Sequence, residues 1–483
     1  MSTPSKIIPI VPSPDATGDL EQTLYEVRKK IYPRAVSGWF AKWRWALVFI
    51  TQLVFYGAPW LAWNGRQAVL FDLAARKFHI FGIVFWPQDF IYLTILLLIS
   101  AYSLFLFTAV AGRLWCGYAC PQTVYTEIFL WIERAIEGDR VAQMRLDERP
   151  LSMRKVALKS AKHGVWIALS LWTGFTFVGY FTPILDLSRE VLSATLGPWE
   201  TFWLLFYGLA TYGNAGWLRE QVCKYMCPYA RFQGVMFDRD TLVVAYDEER
   251  GEPRGSRSKK TDPTLAGLGD CVDCEICVQV CPTGIDIREG QQYECIGCTA
   301  CIDGCNQVMD KMGYAPGLIR YASLNGVSQH LGWREMIRRV FRPRVLIYSA
   351  ILWIIIIAAG ISLYFRVPVM VDVIRDRGAL SREVADGQIE NVYRLQIMNT
   401  EERPRQLMIT ATGIDGMKVT GVVLPLNIGP ASTQMFTLNL RAPADKAPKG
   451  STRIYFHVVP LDAAGKSHPE QFSLNEKSIF YKF

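Results

Sequence analysis

The sequence predicts a polytopic α-helical membrane protein with about five spans and two soluble domains, and three patterns along its 483 residues support this prediction. Five stretches are apolar over the roughly 20 residues that a helix needs to cross a bilayer. All twelve cysteines fall into four short motifs between the second and the fifth of these stretches. The last quarter of the chain contains short segments of alternating Val, Ile, Leu, Tyr and Thr, which are typical of a β-sandwich.

The five predicted spans are the most apolar parts of a chain that is 51% hydrophobic. Its 15 Trp and 21 Tyr residues agree with aromatic belts at the two membrane interfaces. We expect the spans at residues 43–63, 90–111, 164–185, 198–216 and 345–365.

The loops between these spans differ in positive charge, and the difference predicts an orientation. Loops 112–163 and 217–344 carry nine and 17 Lys and Arg residues, whereas loops 64–89 and 186–197 carry three and one. Because short loops rich in Lys and Arg stay in the cytoplasm, we expect the amino terminus and all cysteines on that side. The segment after residue 366 then lies outside. Attraction to anionic lipids explains the net charge of +8, so no nucleic-acid partner is expected.

Eight cysteines form two runs with the spacing of iron–sulfur ligands. Segments 271–281 and 295–305 each read Cys-x2-Cys-x2-Cys-x3-Cys. In two-cluster ferredoxins, three cysteines of such a run hold one [4Fe–4S] cluster and the fourth holds the other. Disulfides are rare in a reducing cytosol, and zinc sites use separated pairs rather than triplets. We expect two clusters, one bound by Cys271, Cys274, Cys277 and Cys305 and the other by Cys295, Cys298, Cys301 and Cys281.

The other four cysteines form two Cys-x3-Cys-Pro motifs, and each motif follows a predicted span. Sulfurs at positions i and i+4 share one face of a helix, and the proline helps to end that helix. Both motifs are expected at the cytoplasmic face, where their thiols could converge into one site for copper, for another soft ion or for a further cluster. We expect nearby Arg113, Arg219 and Lys224 to favour the thiolate form. Two structural thiol pairs are the alternative. The candidate redox site consists of Cys116, Cys120, Cys223 and Cys227.

Composition divides the chain into parts. Residues 247–270 are rich in Gly, Pro, Arg, Lys and Ser, which predicts a flexible tether. In the exported part we expect strands at 392–399, 406–411, 434–440, 452–458 and 477–481. The predicted parts are a cytoplasmic segment 1–40, a four-span membrane domain 41–246, a tether with a two-cluster ferredoxin-like domain 247–333, a basic anchor with the fifth span 334–366, and an exported sandwich 367–483.

Longer stretches resemble a known family. They read GRLWCGYACPQ at 112–122, REQVCKYMCPYARFQ at 219–233, CPTGIDI at 281–287 and GLIRY at 317–321. These stretches closely resemble the CcoG family, also called FixG or RdxA, and the likeness runs from the first span to the exported domain. The resemblance implies a multi-pass protein of the bacterial inner membrane whose periplasmic carboxyl-terminal domain is immunoglobulin-like.

The resemblance also implies a function, namely a role in assembling the cbb-type haem–copper cytochrome oxidase. The family is regarded as a cupric reductase that turns Cu(II) into Cu(I). Copper ion is then the substrate, and copper-delivery proteins or oxidase subunits are the partners. Two alternatives stay open. One is a quinol-linked electron relay to a periplasmic partner, and the other is a non-catalytic scaffold that the clusters only stabilise.

Overall fold

A computed structural model describes residues 30–259, 261, 267–376, 381–384, 387–461 and 472–483. Its helices are α1 (Trp39–Gly57), α2 (Phe90–Ala111), α3 (Leu114–Tyr118), α4 (Pro121–Glu137), α5 (Arg140–Glu148), α6 (Met153–Val178), α7 (Ile184–Ser193), α8 (Pro198–Thr211), α9 (Pro228–Met236), α10 (Glu248–Gly251), α11 (Ile276–Gln279), α12 (Ala300–Met312), α13 (Leu324–Ser328), α14 (Trp333–Val340) and α15 (Pro343–Tyr364). Two π-helical segments, Tyr212–Leu218 and Val222–Met226, lie between α8 and α9.

The strands belong to separate parts of the chain. They are β1 (Ala62–Trp63), β2 (Arg66–Gln67), β3 (Val69–Asp72), β4 (Lys77–Ile80), β5 (Ile83–Phe85), β6 (Val243–Tyr246), β7 (Ile319–Ala322), β8 (Val369–Arg375), β9 (Arg382–Val384), β10 (Gln388–Asn399), β11 (Arg405–Thr412), β12 (Lys418–Thr420), β13 (Leu426–Ile428), β14 (Thr433–Pro443), β15 (Gly450–Leu461) and β16 (Leu474–Lys482).

Helices α1, α2, α6, α8 and α15 lie at the five predicted spans. By length and composition, two helical stretches among the described residues can cross a bilayer, Pro87–Ala111 and Pro343–Tyr364. The other three helices are shorter or carry charges near their first turns, so the five-span count and the orientation stay predictions. The first span is predicted too far along the chain, because α1 ends at Gly57 and Trp63 belongs to a short strand.

The two-cluster region packs around a small sheet in which β6 pairs with β7 in antiparallel register. Strand β6 therefore joins this domain, although the sequence assigned it to the membrane domain. The segment predicted as a flexible tether contacts the domain at residues described between 247 and 270, and its flexibility stays a prediction. Arg250 Nη1 donates to the Pro316 carbonyl at 3.2 Å, and Arg257 Nε donates to the Tyr314 hydroxyl at 3.1 Å. These bonds hold the Gly- and Pro-rich segment against the domain.

The carboxyl-terminal part is a sandwich of two antiparallel sheets. One sheet has the order β12-β14-β10-β8, with β9 also pairing with β10, and the other has the order β13-β11-β15-β16. Fully buried Tyr393, Leu395 and Phe456 belong to the core between the sheets. The five strands predicted from alternating residues all form, because each alternation gives its strand one apolar face for this core.

The loop between the first two long helices is a small sheet, β3-β4-β5, which the sequence analysis did not predict. This loop contacts the sandwich, since Arg66 forms an ion pair with Glu402. After α15, Arg366 forms an ion pair with the buried Asp89 at the start of α2. One ion pair therefore connects the sandwich to the loop between α1 and α2, and the other connects the end of α15 to the start of α2.

Candidate redox site

The cysteines predicted for the first cluster line one cavity. Residue Cys277 lies on α11 and Cys305 on α12, and these two short helices pack against each other. The rest of the wall is mostly apolar and includes Val272, Ile276 and Met309. The cysteines in this wall are Cys271, Cys274, Cys277 and Cys305.

The cysteines predicted for the second cluster line a neighbouring cavity. Residue Cys277 contributes to both cavities, so the two share a wall. Apolar side chains such as Ile285, Ile287 and Ile296 complete the lining of the second cavity. The cysteines predicted for this cluster and present in this wall are Cys281, Cys295, Cys298 and Cys301.

The two runs share a backbone conformation that explains how closely spaced cysteines can surround a cavity. Two and four residues after its first cysteine, each run has a positive φ: 51° at Asp273 and 54° at Glu275, then 68° at Gly297 and 59° at Thr299. Non-glycine residues rarely adopt this region. The left-handed residues curl each run into a loop whose cysteines line the same cavity.

The donor set fits an iron–sulfur cubane better than a single ion. All twelve cysteines are free thiols, so no disulfide competes for them. Among the described residues, no three His, Cys, Asp or Glu side chains are close enough to hold one metal ion. A tetrahedral ion with sulfur ligands at about 2.3 Å needs sulfurs within roughly 4 Å of one another, whereas a cubane spreads its ligands over a larger body.

Burial disfavours the thiolate form of several of these cysteines in the absence of a metal. It raises the pKa of Cys305 and of Cys298 to about 12, and that of Cys295 to about 11. Metal binding to such thiols releases protons. These eight cysteines could therefore bind two clusters when iron supplies the charge that favours the thiolate.

The two Cys-x3-Cys-Pro motifs occupy matching positions before two helices. Their prolines are the first residues of α4 and α9, so each proline begins the next helix. Electrostatic repulsion from Cys116, Cys120 and Cys227 adds to the burial that raises the pKa of Cys223 to about 12. The structure therefore brings the four thiols, which we call the membrane-proximal thiols, close together.

Arg113 favours the thiolate form of Cys116 and Cys223, as expected, but burial has the larger and opposite effect on the pKa of both. Burial raises the pKa of Cys116 to about 11, and it outweighs the opposite effect of Arg113. The side chain of Arg219 is engaged elsewhere, because its Nη2 donates to Glu133 at 2.7 Å. Closeness in the sequence does not show that burial has a larger effect than nearby cations on the pKa of these thiols.

The membrane-proximal thiols lie against the second cysteine run. A β-carbon on Gly117 would be 2.6 Å from the carbonyl oxygen of Gly297 and 2.9 Å from the nitrogen of Cys298. The hydroxyl groups of Tyr118 and Thr299 are 2.6 Å apart and share a hydrogen bond. The first Cys-x3-Cys-Pro motif and the second cluster cavity therefore share one interface.

Sequence reasoning missed two groups that shape this site. Gln233, which is fully buried, accepts a hydrogen bond from Cys116 Sγ at 3.3 Å. Gln233 is the last residue of the stretch 219–233, and its place in that stretch is the feature of the sequence that could have pointed to it. The other is buried Glu133 on α4, which lies 3.3 Å from Lys162 as well as pairing with Arg219. This carboxylate ties α4 to α6 and to the segment that precedes Cys223.

Three family models match the chain. Residues 218–324 match a 4Fe-4S dicluster domain, and residues 93–137 match a 4Fe-4S binding domain. Residues 359–482 match the Ig-like fold at the carboxyl-terminal end of FixG. The first two matches include both Cys-x3-Cys-Pro motifs as well as the two long cysteine runs.

Curated relatives agree with these matches. The nitrogen fixation protein FixG of Rhizobium meliloti is 39% identical over 435 residues, which cover 82% of each chain. Protein RdxA of Cereibacter sphaeroides is 40% identical over 469 residues, covering 92% of this chain and 96% of the relative. The ferredoxin-type protein NapH of Escherichia coli is 22% identical over 271 residues, covering 51% of this chain and 89% of that protein. Likeness along nearly the whole length, together with two cysteine-lined cavities and an Ig-like sandwich, makes this chain an iron–sulfur electron-transfer protein of the FixG/RdxA family.

Proposed function

We propose that this protein reduces Cu(II) to Cu(I) beside its membrane-proximal thiols, and that the Cu(I) serves the assembly of a cbb-type cytochrome oxidase. The observation that carries the proposal is the close contact between Gly117 and Gly297. This contact places the cysteine-lined cavities next to four further thiols, which lie on the same side of the predicted membrane. Cu(II) needs one electron, and a bound [4Fe–4S] cluster can supply one electron at a time.

In this proposal each cavity holds one cluster. The first set of ligands is Cys271, Cys274, Cys277 and Cys305, and the second is Cys295, Cys298, Cys301 and Cys281. The exposed thiol of Cys274 brings the first set near the protein surface, where an electron donor can approach. The second set lies next to the membrane-proximal thiols. The first set, the second set and these thiols therefore form three successive sites for an electron.

The membrane-proximal thiols suit either of two roles. Thiolates are soft ligands that hold Cu(I) more tightly than Cu(II), which favours the reduced product. The match of residues 93–137 to a 4Fe-4S binding domain favours the other role, a third cluster that passes the electron to copper. Iron content separates the two roles, since two clusters contain about eight iron atoms and three contain about twelve.

Substitution of the membrane-proximal thiols tests the proposal. Anaerobically purified Cys116→Ala and Cys227→Ala variants, reduced with dithionite and freed of excess, should no longer form Cu(I) from added Cu(II), as measured with a Cu(I)-specific chelator. The iron of the two long runs should remain. A Gly234→Ala variant is the matched control, because a β-carbon there has open space beside the same site. Cu(I) formation at the wild-type rate in both cysteine variants would refute the copper role.

A groove at Cys227 favours a second candidate function, electron relay from a lipid-soluble quinol. The groove is mostly apolar and is lined by residues that include Met226, Phe232 and Val235. The adjacent Tyr229 donates to the Leu104 carbonyl at 2.9 Å, seven residues before α2 ends. At 1.5 Å per residue this is about 10 Å inside the end of the apolar helix, which is a depth that a membrane quinol can reach.

Quinol oxidation is tested separately from copper reduction. A quinol that bleaches the iron–sulfur absorbance in the wild type, and does so more slowly in Val235→Glu, would support the relay. If electrons pass neither from quinol nor to Cu(II), the remaining function is a non-catalytic scaffold, in which the clusters only stabilise the fold.

A further inference from the structure

We infer that Arg113 is a positioning residue shared by the second cysteine run and the membrane-proximal thiols, and that its charge raises the reduction potential of the cluster proposed for that run. The inference rests on the cluster placement in the proposed function. It concerns a side chain that belongs to neither cysteine set.

Arg113 connects three segments that carry cysteines. It lies three residues before Cys116, and its guanidinium donates to backbone carbonyls in two other segments. Nη1 donates to the carbonyls of Tyr293 and of Cys295, the latter at 3.1 Å, and Nη2 donates to the carbonyl of Ala230 at 2.6 Å. One planar side chain therefore fixes the start of the second run and the helix after Cys227 against the first Cys-x3-Cys-Pro motif.

The charge of Arg113 lacks a carboxylate partner. Only 7% of its surface is exposed, and no Asp or Glu of the described residues lies within ion-pair distance of it. The other two arginines buried to this degree have such partners, since Arg44 lies 3.9 Å from Glu127 and Arg219 lies 2.7 Å from Glu133. The Nε of Arg113 also has no hydrogen-bond acceptor. An unpaired buried cation is costly, so a negative group must face it in the working protein.

The negative group is supplied by the cysteines. Arg113 donates to the carbonyl of Cys295 at 3.1 Å and lies three residues before Cys116, so its charge is close to both cysteine sets. Four thiolates give a bound cubane a net negative charge, which Arg113 can balance. Adding one electron makes that charge more negative, and a nearby fixed cation stabilises the reduced form more than the oxidised form.

A redox titration of two variants tests the inference. Whole wild-type protein, Arg113→Gln and Arg113→Lys would be titrated anaerobically with dithionite as the electron donor, and the reduced clusters would be followed by electron paramagnetic resonance. In Arg113→Gln the ratio of reduced to oxidised second cluster at a fixed potential should fall about tenfold, or about 59 mV for a one-electron couple. Arg113→Lys keeps the charge and should restore most of the potential. Arg342→Gln is the control, because this arginine also bonds to a backbone carbonyl but pairs with Asp238.

Each possible result of this titration either supports or overturns the role of Arg113. An unchanged potential in Arg113→Gln would overturn it. If Arg113→Gln loses its iron, the Arg113→Lys variant decides the question. A potential near the wild-type value in Arg113→Lys supports the role of charge. A tenfold fall in its ratio of reduced to oxidised second cluster refutes that role. Failure of the proposed function looks different, since it would appear as wild-type protein without two titratable clusters, or as normal potentials without Cu(II) reduction.

Discussion

Gly117 and Gly297 lie so close together that a β-carbon on Gly117 would be 2.6 Å from the Gly297 carbonyl oxygen. The first glycine is between the cysteines of a Cys-x3-Cys-Pro motif, and the second is between two cysteines of the second long run. The absence of side chains at both positions lets the two motifs touch through their backbones. This contact places the first Cys-x3-Cys-Pro motif directly against the second long cysteine run.

Replacing Gly117 with alanine should separate the two motifs. The alanine would normally favour helix α3 by about 0.5–1 kcal/mol, but the overlap with Gly297 forces a backbone shift, at a cost of roughly 1–3 kcal/mol. We expect a lower unfolding temperature and faster loss of iron to a chelator. Gly234→Ala, where the new β-carbon meets nothing within 4 Å, should be neutral or slightly stabilising. Equal behaviour of the two variants would contradict the importance of the contact.

Replacing Glu133 with glutamine should destabilise the region around Cys223. Burial opposes ionisation of this carboxyl, but Arg219 and Lys162 outweigh it and lower the pKa. Loss of the charge leaves Arg219 buried without its partner, which typically costs about 3–5 kcal/mol. Thermal unfolding of the two proteins would measure the loss. Asp186→Asn, which breaks an exposed pair with Arg189, should change stability by about 0.5 kcal/mol or less. A similarly small effect of Glu133→Gln would show that the buried network is dispensable.

The partly buried thiols of Cys116 and Cys223 should react slowly with alkylating reagents in iron-free protein, and the rate should depend steeply on pH. Burial raises the pKa of Cys116 to about 11 and that of Cys223 to about 12. The thiolate is the reactive form, and its fraction grows tenfold per pH unit below the pKa. Between about pH 7 and 10 the labelling rate, followed by mass spectrometry, should keep rising without levelling off. A plateau near pH 9, the behaviour of an ordinary thiol, would mean that the site is open to solvent.

Reporter fusions should reveal opposite sides for the cysteine-bearing domain and the sandwich. Loops rich in Lys and Arg remain in the cytoplasm, so a reporter joined to a chain cut after Leu331 should be active only inside. A reporter joined after Phe483 should be active only outside. Activity of both fusions on the same side would mean that α15, the predicted span between the two fusion points, does not cross the membrane. Activity on exchanged sides would make the short α8 the predicted span to reconsider.

Some features of this protein are determined by the sequence alone because they depend on local spacing. Each cysteine run encodes its own loop, and the two cavities hold the cysteine sets that the spacing predicts. The strands of the Ig-like sandwich follow from alternation, since a period of two gives each strand one buried face. The family follows from stretches such as 112–122, whose residues are contiguous in the chain.

The relation between these parts was decided by the tertiary structure. Gly117 and Gly297 are 180 positions apart in the chain, and no local pattern relates them. The expected flexible tether packs against its domain because Arg250 and Arg257 donate hydrogen bonds to Pro316 and Tyr314. The pKa of Cys116 is raised to about 11 because burial, which is a property of the packed structure, outweighs the charge of Arg113. Spacing along the chain specifies local loops and faces, whereas desolvation and contacts between distant segments arise only when those faces pack together.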